Sequence, residues 1–350
     1  MRLARVLGHD RVKRVLGRAL VQGRFPPALL LAGPEGVGKR TLALAAAAAL
    51  VCREGGGDAC GDCSACRRIA RATASLPELR KAADERADQP ERRNFLLHPD
   101  LVLVEPRRTA TRLDVRIEQV REMVRQIEGR PFEAPARVFV VDDAHAMTEQ
   151  AQNALLKGLE EPPPTSHVIL VTASPQGLLP TIRSRCQALR VGSLPVAAVE
   201  AHLREEAGLP PEEARLRASL AGGSLGAALA FESEAYHALR GDLLGLLEGL
   251  GGGPLGRIQA AERLEQAEDL VLALTALRSL LRDVAALRAG CAPGSLLNAD
   301  VADRLSALAG GRLGDRAPAL AEMVGETRGA LRQSANKLLA LDVLAETLAG

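Results

Sequence analysis

The stretch "GPEGVGKRT", residues 33 to 41, decides how this chain folds. A phosphate-binding loop follows the pattern G-x-x-x-x-G-K-[ST]. Its backbone N–H groups cradle phosphate oxygens, its lysine reaches the terminal phosphates, and its last hydroxyl binds Mg²⁺. Gly33, Gly36, Gly38 and Lys39 fit the loop. The hydroxyl position holds Arg40 instead, and Thr41 comes one place late. "PPALLLAG" before the loop is a short apolar run that predicts a buried strand, and "TLALAAAAAL" after it predicts an Ala-rich helix. Strand, glycine loop and helix in that order make an anion site at the helix N-terminus.

Further along, "DLVLVEP", "ARVFVVDDA" and "HVILVTAS" read as strands. The segments "RIEQVREMVRQIEG" and "TEQAQNALLKGLEE" carry apolar residues at helical spacing. Strands alternating with helices predict a parallel sheet covered by helices on both faces. "VFVVDDAH" ends its strand in two carboxylates. Alone, such a pair is an ordinary acidic strand end. Downstream of a phosphate loop it has the Walker B arrangement, in which Asp142 holds Mg²⁺ through water and Asp143 faces the attacking water. Asp143 is one methylene shorter than the glutamate usual in hydrolysing proteins.

Beyond "TIRSRCQALRV" the strand signal stops, and helices separated by glycine- and proline-rich breaks follow. We place an α/β phosphate-loop domain at 1–192, a small helical lid at 193–236 and an all-α C-terminal domain at 237–350. The polar, charged, helix-prone stretch 67–97 reads as an insertion between core elements.

Cys52, Cys60, Cys63 and Cys66 have the spacing C-x7-C-x2-C-x2-C. Four thiolates beside turn-forming glycines suit one tetrahedral Zn²⁺ in a module at about 52–66. Four protein ligands fill the coordination sphere, so such a zinc is structural. The other cysteines, Cys186 and Cys291, read as buried apolar residues.

Composition excludes several classes. The net charge of +2 is too balanced to predict a nucleic-acid binder by charge, although Arg107, Arg108 and Arg112 form a local basic cluster. Aromatics at 2% leave little for base stacking. "LALAAAAALVC" falls far short of the ~20 apolar residues of a membrane span. Charges scattered through "MRLARVLGHDRVKRVL" are unlike a signal peptide, so the expected location is cytoplasmic, without membrane contact.

Several motifs together resemble the clamp-loader branch of the AAA+ ATPases. They are "VLGHDRVKRVLGRAL", the phosphate loop, the cysteine knot, "HPDLVLVEP", "NALLKGLEEPP" and "LLPTIRSRC". The resemblance covers residues from about 5 to 235, with a weaker match at "QSANKLLALDVLAETL". It implies an AAA+ domain, a helical lid and a C-terminal collar, within a bacterial DNA polymerase III assembly. It makes Arg185 of "SRC" an arginine finger that serves a neighbour's ATP site, and Thr172 the sensor-1 residue.

It also implies partners: gamma/tau and delta subunits, and, through the assembled ring, the sliding clamp and primer-template DNA. Arg40, Asp143 and Gly226 depart from the motor subunits at three catalytic positions, the last where a lid arginine belongs. The departures imply a non-motor subunit that completes the ring. ATP or ADP fits the loop, while Mg²⁺ is poorly served. The alternatives are a gamma/tau-type ATPase with unusual motifs, or a zinc-dependent DNA-binding regulator.

Overall fold

A computed structural model of the chain describes residues 1–85, 93–108, 113–249, 269–332 and 337–349. Arg112, residues 86–92 of the insertion and the start of "QSANKLLALDVLAETL" lie outside the described residues. The chain divides into two compact units. One is Met1–Val199 with Gly222–Ala227, and the other is Glu200–Ala221 with Ala228–Gly350.

The first unit is built on a six-stranded sheet. Its strands are β1 (Ala28–Ala32), β2 (Asn94–His98), β3 (Leu101–Val104), β4 (Arg137–Val141), β5 (Ser166–Thr172) and β6 (Gln187–Arg190), in the order β2-β3-β4-β5-β1-β6. The four predicted strands are the four central ones, and they pair in parallel. Their apolar runs are continuous because both faces are covered. The two edge strands carry no such signal in the sequence. Strand β6 adds in parallel beside β1. Strand β2 closes the insertion and pairs with β3 antiparallel, which makes the sheet mixed rather than purely parallel.

Helices cover both faces, as the alternation predicts. On one side lie α1 (Asp10–Val21), α2 (Lys39–Val51) and α3 (Ser64–Ala74), which share a core with Leu29, Leu31, Val138 and Val140. Residues Leu42 to Ala49 of α2 are all buried, so small alanines let the helix lie close on the strands. On the other side, α5 (Ile117–Ile127) buries Val120, Met123, Val124 and Ile127, one stripe at helical spacing, against α6 (Glu149–Glu160) and the opposite strand faces.

Asp100, in the turn between β2 and β3, is fully buried. It accepts backbone N–H bonds from Phe132, Glu133 and Ala134 at 2.6, 2.9 and 2.9 Å. Burial works against the charge, but these donors hold its carboxyl below the usual carboxylate range.

The second unit is helical in its described residues, and the largest pieces are Ser233–Gly249, Leu270–Arg288 and Arg312–Arg332. Its leucine core surrounds a buried polar knot. The Tyr236 hydroxyl bonds Ser279 and Asn298 at 2.8 Å each, and Asn298 Nδ2 donates to Asp283 at 2.8 Å. No described helix is long and apolar enough to cross a membrane.

Candidate nucleotide site and metal centre

Register brings the site together. Val104 pairs with Val141, and Ala32 pairs with Thr172. The residues that follow or end these strands, Gly33, Glu105, Asp142 and Thr172, therefore meet at the carboxyl edge of the sheet, where α/β folds place their ligands.

The loop from Gly33 to Gly38 has the backbone its glycines permit. Gly36 and Gly38 have φ of +70° and +98°, the left-handed region, and Gly38 caps α2. At Gly33 a Cβ would lie 1.8 Å from the carbonyl oxygen of Val191, so only glycine fits beside that strand end. Lys39 is 6% exposed, and its Nζ donates to the carbonyl of Pro34 at 2.5 Å. Burial lowers its pKa, and Asp143, Asp142 and Glu35 pull the other way.

Arg40 turns toward the acids. Its Nη1 lies 3.4 Å from Asp142 Oδ2 and 3.3 Å from Glu105 Oε1. Glu105 is 5% exposed and is gripped by a fork from Arg80, with Nε at 2.7 Å and Nη2 at 2.5 Å. Arg80 belongs to α4 (Leu76–Asp84), and Arg93, just before β2, approaches Glu105 within 4.0 Å. Burial pushes the Asp142 carboxyl up to about 6, with Arg40 opposing the rise. Thr41 is exposed.

These residues do not fit Mg²⁺ well. The two carboxylates that could serve a cation already face a guanidinium, and Thr41, the hydroxyl next along the chain, is on the helix surface. Asp143 follows with a left-handed φ of 44° and opens a short 3-10 turn, Ala144–Ala146.

Thr172 is fully buried. Its hydroxyl accepts from Ser174 N at 3.0 Å and lies 3.2 Å from His145 Nδ1. Gly226 meets the phosphate loop directly, and its N–H donates to the Gly36 carbonyl at 2.8 Å. Arg185 ends α7 (Pro180–Arg185). It donates to the carbonyl of Thr181 at 3.0 Å and to Glu160 Oε1 at 2.9 Å. Burial pushes the neighbouring Cys186 thiol up to about 11, whereas Cys291, expected to be buried, is exposed.

The four cysteines of the predicted module converge, with all four sulfurs within 4.8 Å of one another. Cys52–Cys63 and Cys60–Cys66 are each 3.9 Å apart. Zinc–sulfur bonds of ~2.3 Å in a tetrahedron put the sulfurs about 3.8 Å apart, so the cluster fits Zn²⁺. Backbone N–H groups of Cys63 and Asp62 bring the Cys60 thiol down to about 7, while burial pushes Cys66 up to about 12. Asp58 ties the module to the N-terminus by accepting from Leu3 N at 2.7 Å and Ala4 N at 3.0 Å.

Glu105, Arg80 and Arg93 do not stand out in the sequence. Glu105 is visible as the acid ending "HPDLVLVEP", but its arginine partners lie in the polar insertion, where no spacing marks them.

A family described as DNA polymerase III, delta subunit, matches residues 8–195, more than half of the chain. The chain belongs to that family. DNA polymerase III subunit delta' of Bacillus subtilis is 32% identical over 60% of this chain and 55% of its own length. Its namesake from Pseudomonas aeruginosa is 36% identical over 45% and 41%. Subunit tau of Escherichia coli is 30% identical over 66% of this chain and 32% of its own. The chain thus spans about half, or less, of the length of the relatives it matches. The names of the first relatives point to the delta-prime branch of the DNA polymerase III clamp-loader subunits.

Proposed function

We propose that this chain is a non-motor subunit of a sliding-clamp loader, one that completes the ring without hydrolysing ATP in its own site. The observation that carries this reading is the Arg40 guanidinium set between Asp142 and Glu105, where a motor subunit needs a cation. Asp143 shortens the reach to water, and Gly226 brings no lid cation to the γ-phosphate.

The work of this chain is then done for a neighbour. Arg185, near the surface on α7, is the arginine finger offered to an adjacent gamma/tau ATP site. Thr172 is the sensor-1 position. Gamma/tau and delta are the ring partners, and the clamp and primer-template DNA are reached through the assembled complex during replication. The cysteine cluster holds a structural zinc, and the segments 193–236 and 237–350 serve as lid and collar.

A gamma/tau-type ATPase is the second reading, favoured by the longer alignment with tau. ATP turnover of the purified chain separates the two. The non-motor reading expects none above background, alone or with clamp and primed DNA. Mg²⁺-dependent turnover by the chain alone supports the second reading.

A further inference from the structure

We infer that the phosphate loop of this chain holds a nucleoside di- or triphosphate without a divalent cation, with the Arg40 guanidinium in the cation's place. The inference deepens the reading above and rests on Gly33–Lys39 being a nucleotide site.

Three observations carry it. First, the loop keeps its anion-binding parts. Gly36 and Gly38 adopt the left-handed backbone, and Lys39 is buried at the start of α2. Second, the cation's place is filled. Both Arg40 bonds leave from Nη1, to Asp142 and Glu105, and Nε and Nη2 have no partner among the described residues. A guanidinium carries five N–H donors in a planar fork. Two carboxylates engage one end, and the remaining donors can take phosphate oxygens. This is the bridging that Mg²⁺ performs between acidic side chains and phosphates.

Third, Arg40 is held there. Glu105 is buried and gripped by the two-pronged fork of Arg80, with Arg93 4.0 Å away, so the acid that meets Arg40 is anchored. A dication on Asp142 would have to sit against a guanidinium only 3.4 Å from that carboxylate, and like charges repel. Helix α4 of the insertion thereby acts on the phosphate site from outside the loop, because its Arg80 fixes the acid that holds Arg40.

The test is equilibrium binding of ADP and ATP to the intact chain, by calorimetry, in EDTA and in Mg²⁺. The inference expects the same affinity in both. Arg40→Thr should lose about tenfold or more in EDTA, the loss of a charge-assisted phosphate contact, and regain affinity when Mg²⁺ is added. Arg40→Lys should retain part of the metal-free affinity, because it keeps the charge without the fork. Arg80→Met should weaken metal-free binding although it lies outside the loop. Circular dichroism and zinc content of each variant control for folding.

Wild-type binding that requires Mg²⁺ would overturn the inference and leave the nucleotide site standing. Absence of binding under both conditions would overturn both. Arg40→Thr binding as well as wild type in EDTA would remove Arg40 from the site.

Discussion

The backbone N–H of Gly226 donates to the carbonyl of Gly36 at 2.8 Å, so the residue that the resemblance sets at the lid-arginine position lies directly on the phosphate loop. A Cβ on Gly226 would lie 3.0 Å from Gly36 Cα and 3.3 Å from its carbonyl oxygen. Glycine here permits a close approach of two backbones. Gly226→Arg should therefore fail to create a lid cation. Gly226→Ala should cost about 1–3 kcal/mol by overpacking. Thermal unfolding checks this: both variants should melt below wild type, and an unchanged melting temperature for Gly226→Ala would show the contact to be loose.

Asp142 gives the site a pH dependence of definite sign. Its carboxyl is raised by burial from an ordinary 3.8 to about 6. Below about pH 4 the group is protonated in both folded and unfolded chains and contributes nothing. Between about pH 4 and 6 the unfolded chain loses the proton while the folded chain keeps it, so stability falls as pH rises. Above about pH 6 both are ionised, and the full penalty stands, on the order of 3 kcal/mol. Asp142→Asn should match wild type near pH 4 in urea unfolding and exceed it near pH 7. A difference that stays constant with pH would contradict the raised carboxyl.

The cysteine cluster should carry about one equivalent of zinc per chain by metal analysis. Removing one ligand breaks a coupled binding and folding unit. Cys60→Ser should lower zinc content and the melting temperature together. Its effect should also reach the N-terminus, because Asp58 in the same module holds the backbone of Leu3 and Ala4. Unchanged metal content and stability in Cys60→Ser would refute the metal centre.

The sequence makes the centre of this fold readable and its edges less so. Strands β1, β3, β4 and β5 are buried on both faces, and their unbroken apolar runs announce them. Strand β6 is largely exposed, and β2 leaves Leu96 facing solvent, so neither has such a run. The cysteines and the phosphate loop are legible because they depend on short spacing. The partners of Arg40 are not. Glu105 lies 65 positions away and Asp142 lies 102 away, and only strand register makes them neighbours. In sequence Arg40 is a defect in a motif; in the fold it is an ion-paired group between two acids. Likewise Gly226 reads as a lost arginine until its contact with Gly36 gives the glycine a steric reason.

The proposed function turns on whether Arg185 acts on a neighbour's ATP rather than on this chain's own site. Its guanidinium is held by Glu160 and the Thr181 carbonyl at the end of α7. A guanidinium delivered in trans to developing phosphoryl charge is worth ~10³–10⁵ in rate in GTPases, and lysine lacks the planar fork to replace it. The direct measurement mixes Arg185→Ala or Arg185→Lys chain with normal gamma/tau and delta subunits, clamp and primed DNA, and follows ATP hydrolysis and clamp loading. Both variants should fold, keep zinc and enter the complex, yet slow hydrolysis and loading, with a partial loss in total turnover because other sites keep their own fingers. Unchanged ATPase and loading rates in a fully assembled complex would contradict the finger role and leave Arg185 as a structural partner of Glu160.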